Sequence, residues 1–251
     1  MFKRPRIDRE DELILLDQLA LGQIIQRILL IKAGAGMGKS ELLREFIARC
    51  SRDIFIAILD FKNGSISQTD LLYNICETFG WQYFPRLDSK LKNLMDLPDV
   101  NISENVLLGQ NRINVLLGGF DRQTRAEELA SLTRAFFEDV RRLRRVVFIF
   151  DTFENADSLL KEWVINTFLH YANLSPNLSI IISGREVPKP TLEWIDISHH
   201  LELEGIDAIH WYSYAQSIGL QLNLEWIKGC CFVLKGHPLY MAQILSRYSE
   251  E

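Results

Sequence analysis

The sequence predicts an α/β fold in which a five-stranded parallel sheet carries helices on both faces and is followed by a small helical domain. Five short runs are strand-like, four of them with the near-continuous hydrophobicity of buried parallel strands, and they alternate with stretches of helical periodicity. After residue 204 the strand-like runs end, and only the helical period continues. We therefore place an α/β domain at residues 1–204 and a helical domain at residues 205–251.

The individual elements follow from the same periodicities. The predicted strands cover residues 28–31, 54–59, 146–150, 178–182 and 200–203. Longer helices are predicted over 10–20, 41–50, 69–79, 124–143 and 160–172, and shorter ones over 206–218, 224–233 and 238–248. Glycines and prolines interrupt residues 80–121, which predicts an irregular insertion with short helices, part of which packs on the domain.

The amino-acid composition indicates the class of protein and which kinds of partner to expect. An apolar content of 47% with 24% charged residues is typical of a globular protein with a large core. The net charge of −5 gives no reason to expect nucleic acid as a partner. No apolar run is long enough to span a membrane, the first residues lack the apolar core of a signal peptide, and the four cysteines lack metal-site spacing. We expect a cytoplasmic protein without a membrane partner.

The most informative stretch is a glycine-rich turn between the first strand and its helix. Glycines let consecutive backbone N–H groups curl around a phosphate, and the helix N-terminus adds partial positive charge. Lys39 can reach the β- and γ-phosphates of a nucleotide, and the Ser40 hydroxyl can bind Mg²⁺. The pattern departs from G-x-x-x-x-G-K-[ST] only at Ala33. The predicted phosphate site comprises Gly34, Ala35, Gly36, Met37, Gly38, Lys39, Ser40 and Glu41.

A second informative stretch is the apolar run 146–150, which ends in Asp151. Ligands bind at the carboxyl ends of parallel strands, so Asp151 is placed to hold Mg²⁺ through water beside Ser40. Glu154, three residues on, could polarise an attacking water. The alternatives are that Asp151 caps the next helix and that Glu154 is a favourable first-turn glutamate of that helix.

Arginines form two further candidate sites. Arg185 follows the strand at 178–182, where it could touch a γ-phosphate and so distinguish ATP from ADP, although it could also be an exposed loop residue. The segment 141–145 holds four arginines in five residues. It is either a basic patch for phosphate or nucleic acid or a solvated helix end, where the helix dipole favours cations.

Together, these motifs resemble the STAND class of AAA+-related P-loop ATPases, which includes the NACHT and NB-ARC modules. The turn at 33–40 is similar to the phosphate loop of that class, and Ile7-Asp8-Arg9-Glu10 is similar to its hydrophobic-Gly-Arg-Glu box, with Asp8 in place of glycine. Residues 150–154 resemble the magnesium-binding strand with a displaced second acid, and 183–185 resemble the sensor arginine. Gly236-His237-Pro238-Leu239 resembles the Gly-x-Pro-Leu signature of the helical lid, where the proline packs on adenine.

The resemblance implies a P-loop NTPase sheet of the ASCE/AAA+ type followed by a helical lid. It implies ATP or ADP and Mg²⁺ as ligands, with slow hydrolysis controlling conformation, and self-assembly through the nucleotide domain when further domains are attached. It adds Ile7, Arg9 and Pro238 to the nucleotide-binding residues. The residues that it implies in catalysis are Lys39, Asp151, Glu154 and Arg185.

Two other functions fit the residues less completely. A P-loop enzyme of the kinase or motor type would turn over steadily, but a kinase needs an arginine-rich closing lid, and Glu-Val-Pro-Lys-Pro after Arg185 offers little. A nucleic-acid-binding regulator would rest on the arginines of 141–145 and on His199-His200, and its binding would be strongly salt-sensitive.

Overall fold

The structure is a computed structural model that describes residues 9–63, 66–95, 117 and 119–248. Its centre is one sheet of five strands, namely β1 (Ile28–Lys32), β2 (Phe55–Asp60), β3 (Val146–Asp151), β4 (Leu178–Gly184) and β5 (Ser198–Glu202). The strands lie in the order β2-β3-β4-β1-β5, and every neighbouring pair is parallel. The predicted five-stranded parallel sheet is therefore confirmed.

Helices precede β1 and connect most of the strands, but β4 and β5 are joined by a segment that holds only the 3₁₀ turn Ile195–Ile197. Within the α/β part the helices are α1 (Glu10–Leu21), α2 (Lys39–Arg49), α3 (Gln68–Phe79), α4 (Pro85–Met95), α5 (Arg122–Val140), α6 (Ser158–Trp163) and α7 (Leu169–Asn173). A π-helical turn, Val164–Phe168, joins α6 to α7, so the helix predicted over 160–172 is interrupted. The C-terminal helices are α8 (Ala208–Ser217), α9 (Leu224–Leu234) and α10 (Pro238–Tyr248).

Both faces of the sheet are covered. Successive strand residues point to opposite faces, and β1 shows the division: Leu29 and Ile31 pack with α1 and α2, whereas Ile28 and Leu30 pack with the helices on the other face. Every residue of β3 and β4 is buried, as expected for central strands of a doubly covered parallel sheet. Among the residues described, no helix combines the length and the apolar character needed to cross a bilayer.

The stretch predicted as an irregular insertion begins with a packed helix. Phe84, Leu87 and Leu91 of this region are fully buried in the core that contains β3 and β4. The carboxylate of Asp139 in α5 accepts the backbone N–H groups of Arg86 at 2.9 Å and Leu87 at 3.1 Å, which satisfies two donors of the first turn of α4. Most of the rest of the stretch, 96–116 and 118, lies outside the described residues.

The C-terminal helices have an apolar core of their own. Its buried members are Ile206, Trp211, Ala215, Ile227, Cys231, Met241 and Leu245, contributed by α8, α9, α10 and the segment before them. The start of this helical part is tied to the turn between α9 and α10, because the Ile206 N–H donates to the Gly236 carbonyl at 2.9 Å. The helical C-terminal part is thus present, while the boundary at residue 204 stays a prediction.

Candidate functional site

The glycine-rich turn lies at the carboxyl end of the sheet, between β1 and α2. Gly36 and Gly38 have φ values of 74° and 91°, which lie in the left-handed region that side chains disfavour. Gly38 is also the residue that precedes the first turn of α2, so the turn leads directly into a helix N-terminus. Gly34, Ala35 and Gly36 are exposed. The turn therefore presents its backbone to solvent beside a helix start, as a phosphate site requires.

Lys39 folds back over this turn. Its Nζ donates to the carbonyl oxygens of Ala33 at 2.6 Å and Gly34 at 2.8 Å. Burial lowers the pKa of Lys39, opposed by the negative charges of Glu154 and Asp151. The ammonium group thus rests on neutral carbonyls although two carboxylates are near it. A phosphate oxygen, which carries charge, would compete well for the same donor.

Ser40 and Asp151 meet at the end of the sheet. The Ser40 Oγ donates to Asp151 Oδ2 at 2.9 Å, although the two residues are 111 positions apart. Asp151 ends β3 and is only 7% exposed. Its other oxygen, Oδ1, accepts the Thr152 N–H at 2.9 Å and the hydroxyl of Ser183, which is fully buried at the end of β4. Ser183 was not predicted from the sequence as a site residue.

The donor set fits Mg²⁺, the cation implied by the resemblance. A hydroxyl and a carboxylate are hard oxygen ligands, and Mg²⁺ is usually held by one or two protein groups together with water and substrate phosphates. Across the described ranges, no group of three or more His, Cys, Asp or Glu side chains could hold a metal by itself. Ser40 could bind Mg²⁺ directly and Asp151 through water, with phosphate oxygens completing the ligand set.

Glu154 and Arg185 form an ion pair. The Arg185 Nε donates to Glu154 Oε1 at 2.9 Å, while Oε2 of Glu154 is buried and has no hydrogen-bond partner among the described residues. The Glu154 side chain is 11% exposed and that of Arg185 is 59% exposed. Burial alone would raise the pKa of Glu154, but hydrogen bonds from Arg185 and the backbone outweigh it, so the pKa lies below its ordinary value. The sequence placed both residues at the site without predicting this pair.

The backbone around Glu154 is tightly constrained. A Cβ at Gly184 would lie 2.6 Å from Glu154 Oε2 and 2.7 Å from the backbone carbonyl oxygen of Glu186, so a side chain at this position would clash with both. Thr152 has a φ of 58°, a rare conformation for a side-chain-bearing residue and one that concentrates at functional sites. Glu154 lies in the short 3₁₀ turn Phe153–Asn155. The next helix, α6, is capped by Asp157, so the alternative roles of Asp151 as its cap and of Glu154 as its first-turn acid do not apply.

The Arg9 side chain is hydrogen-bonded to other residues of the protein near the turn. Its guanidinium donates to the Glu204 carbonyl at 2.6 Å and to Glu12 at 2.8 Å, and it approaches the Met37 carbonyl at 3.5 Å. Arg9 therefore links α1, the turn and the segment that leads to the C-terminal helices. Ile7, predicted beside it as a nucleotide-binding residue, lies outside the described residues.

His237 brings the C-terminal helical segment onto the turn. Its Nε2 lies 3.0 Å from the Ala35 carbonyl oxygen, which can only accept, so Nε2 carries the proton. A Cβ at Gly36 would lie 2.8 Å from His237 Cε1, which shows how closely the two segments approach. Pro238, the next residue, begins α10 and is half-buried. His237 was not singled out in the sequence, although it is part of the Gly-His-Pro-Leu stretch.

The arginine-rich segment lies at the opposite end of the sheet. It directly precedes β3, whereas the turn and Asp151 lie at the carboxyl ends of their strands. Arg141 donates to Ser175 Oγ at 3.1 Å, Arg145 donates to the Pro176 carbonyl at 3.0 Å, and Arg144 pairs with Asp53 at 3.6 Å. These contacts hold the segment against the loops before β2 and β4, away from the candidate site.

Comparisons with known proteins identify the fold. No family model and no curated protein matches the sequence. A STAND protein with a tetratricopeptide repeat sensor from Pyrococcus horikoshii is 16% identical, with a TM-score of 0.54, over 98% of this chain and 30% of that one. The Walker-type ATPase of Pyrococcus abyssi is 18% identical, with a TM-score of 0.55, over 100% of this chain and 71% of that one. This chain thus spans less than a third of the STAND protein and has the fold of a P-loop ATPase.

Proposed function

We propose that the protein binds ATP and ADP with Mg²⁺ at the glycine-rich turn and acts as a nucleotide-dependent switch that hydrolyses ATP slowly. The observation that carries this proposal is the hydrogen bond of 2.9 Å between Ser40 and Asp151, directly beside the exposed turn. It joins a helix N-terminus that suits phosphate to a buried carboxylate that suits Mg²⁺. The similarity to P-loop ATPases supports this use of the site.

Binding would use groups that are already in place. Phosphates would sit on the backbone N–H groups of the turn, and Lys39 would exchange the carbonyls of Ala33 and Gly34 for charged phosphate oxygens. Ser40 would move from Asp151 Oδ2 to the cation, with Asp151 holding a coordinated water. When bound, Mg²⁺ neutralises charge that develops on the phosphate oxygens.

Hydrolysis requires Glu154 to orient and deprotonate water, but in this arrangement Arg185 occupies one of its oxygens. A carboxylate with a lowered pKa is also a weak base. A γ-phosphate would attract the half-exposed Arg185 guanidinium and so free Glu154. The paired arrangement favours slow turnover, because the base is available only after this exchange.

The switch would act through the C-terminal helices. His237 contacts the carbonyl of Ala35, and Arg9 connects the turn region with the carbonyl of Glu204, so a change in the turn alters both contacts. A nucleotide shifts such an equilibrium only by its difference in affinity for the two states, and the γ-phosphate near Arg185 would supply that difference. By the resemblance, Pro238 would pack on adenine, and the module would control self-assembly when it is attached to further domains.

The test is nucleotide binding by Lys39→Ala. We expect the affinities for ATP and ADP, measured by titration calorimetry with Mg²⁺, to fall by at least about 100-fold, because the charged hydrogen bonds to phosphate are lost. Lys92→Ala is the matched control, since Lys92 is an exposed lysine of α4 that pairs with Asp88. Wild-type affinity in Lys39→Ala, or no nucleotide binding by the wild-type protein, would refute the proposal.

A further inference from the structure

Ser183 is the last but one residue of β4, and its side chain has no exposed surface. β4 lies between β1 and β3, with Ser183 level with Ile31 of β1 and one residue beyond the pair formed by Phe150 and Ile182. This position places its hydroxyl beside Asp151, and the Ser183 Oγ donates to Asp151 Oδ1. The buried hydroxyl of Ser183 is therefore in direct contact with the carboxylate that would bind the cation in the candidate site.

The hydrogen bonds of Asp151 divide between its two oxygens. Oδ1 accepts from the Ser183 hydroxyl and the Thr152 N–H, whereas Oδ2 accepts only from Ser40 among the donors found in the described residues. The terminal torsion of an aspartate is soft, so the carboxylate plane is set by its partners rather than by its own geometry. With Oδ1 held on the sheet side, Oδ2 is left to face Ser40.

We propose that Ser183 is a positioning residue that fixes the rotation of the Asp151 carboxylate, so that Oδ2 faces Ser40 and the Mg²⁺ of a bound nucleotide. The inference rests on the proposed function and deepens it, because it names the group that prepares the cation site. Partners that orient a ligating side chain in this way typically change metal affinity by about 10- to 100-fold when they are removed.

The end of β4 would in this way organise both acids of the site. Gly184 allows the close approach of Glu154 Oε2, and Arg185 pairs with Oε1 of the same glutamate. Ser183 and Gly184 at the end of β4, together with Arg185 just after it, would therefore set the positions of Asp151 and Glu154. Ser183 and Gly184 are buried with the rest of β4, whereas the Arg185 side chain is 59% exposed.

The experiment compares two buried serines of the same strand. Ser179 is 2% exposed and donates to the backbone carbonyl of Leu19 at 3.0 Å, so Ser179→Ala removes a buried hydrogen bond of β4 without touching Asp151. For each variant, the ADP and ATP affinities are measured by calorimetry with Mg²⁺ and with EDTA, and Mg²⁺ is titrated into the nucleotide complex. For each nucleotide, the ratio of the affinity with Mg²⁺ to the affinity with EDTA reports the cation site independently of turnover.

We expect Ser183→Ala to weaken Mg²⁺ binding by about 10- to 100-fold, with the affinity in EDTA unchanged. Ser179→Ala should keep the wild-type ratio, and Ser183→Thr, which retains the hydroxyl, should restore it. If Ser183→Ala does not fold, as judged by circular dichroism, Ser183→Cys replaces it, because a thiol is of similar size but a much weaker donor. The expected result for Ser183→Cys is the same loss.

Two results would overturn the role of Ser183. One is a wild-type Mg²⁺ ratio in the folded alanine or cysteine variant. The other is an equal loss of affinity with Mg²⁺ and with EDTA, which would assign Ser183 a purely structural role. A wild-type protein that binds no nucleotide is a different outcome, since the proposed function then fails and the inference fails with it.

Discussion

The two flanks of the glycine-rich turn are built differently. On one flank, which we call the metal side, Ser40, Asp151 and Ser183 form a hydrogen-bonded group anchored in two fully buried strands. On the other flank, the lid side, Arg9 and His237 contact backbone carbonyls from partly exposed positions. The metal side is therefore fixed by the sheet, and the lid side is held by a few side-chain contacts.

This difference indicates which part of the molecule would move in the proposed switch. A buried strand opens only with a large part of the core, whereas a contact of one or two hydrogen bonds can open alone. The C-terminal helices also have a separate apolar core, so they can shift as a unit without exposing it. We expect the chemistry to depend on the metal side and the conformational response to depend on the lid side.

The largest expected effect breaks the metal side. Asp151→Asn removes the charge that would hold the cation's water in the proposed site, and it places an N–H₂ group against one of two hydroxyl donors, Ser40 or Ser183. We expect ATP hydrolysis, followed by phosphate release, to fall by about 1,000-fold, the upper range for loss of a transition-state electrostatic contact. Nucleotide affinity in EDTA should change little, because the turn itself is untouched.

The control for this prediction is Asp60→Asn. Asp60 ends β2 directly opposite Asp151 in the strand pairing, but it is exposed and accepts the nearby Lys62 N–H. Its replacement should leave hydrolysis at the wild-type rate. Equal hydrolysis rates for wild type and Asp151→Asn would show that Asp151 has no role in the reaction. The chemistry would then not depend on the metal side.

Much of the metal side could be predicted from the sequence, because its residues lie at the carboxyl ends of parallel strands. Carboxyl ends of such strands share one edge of the sheet, so a glycine turn after one strand and an aspartate after another are expected to meet. This rule places Ser40 and Asp151 at the same edge of the sheet, where the structure shows them in contact. The central strands β3 and β4 were predictable from their nearly unbroken apolar runs, which their burial explains, whereas β5 is a partly exposed edge strand without such a run.

The remaining contacts depend on information that periodicity does not contain. Ser183 reaches Asp151 only because β4 lies next to β3. The hydrophobic patterns of the strands do not predict their order in the sheet. The pairing of Glu154 with Arg185 depends on side-chain torsions and on the absence of a Cβ at Gly184. His237 reaches Ala35 through the packing of a separate helical core, which no local pattern predicts.

An intermediate effect separates catalysis from binding within the site. Glu154→Gln keeps the size of the side chain but removes the proposed base and the charge that pairs with Arg185. We expect hydrolysis to fall by about 100-fold, at the lower end for loss of a general base, while calorimetry shows ATP affinity within a few-fold of wild type. Glu186→Gln, at an exposed neighbour of Arg185, should have the wild-type rate. Unchanged hydrolysis in Glu154→Gln would mean that water is activated by another group.

The smallest expected effect breaks the lid side. His237→Ala removes one hydrogen bond to the Ala35 carbonyl. A single neutral hydrogen bond contributes about 0.5–1.5 kcal/mol, so nucleotide affinity should change by no more than about tenfold. Amide hydrogen exchange in α10 should nevertheless rise, and the difference in exchange between the ATP and ADP complexes should shrink, because the segment no longer senses the turn.

His210→Ala is the matched control for the lid side, since His210 belongs to the same helical segment but contacts Asp207 rather than the turn. It should leave the difference in exchange between the two complexes intact. If His237→Ala also leaves that difference intact, the segment does not sense nucleotide through this contact. If instead it abolishes binding as Lys39→Ala does, the lid side belongs to the rigid part of the site, and the division between a fixed flank and a responsive one is wrong.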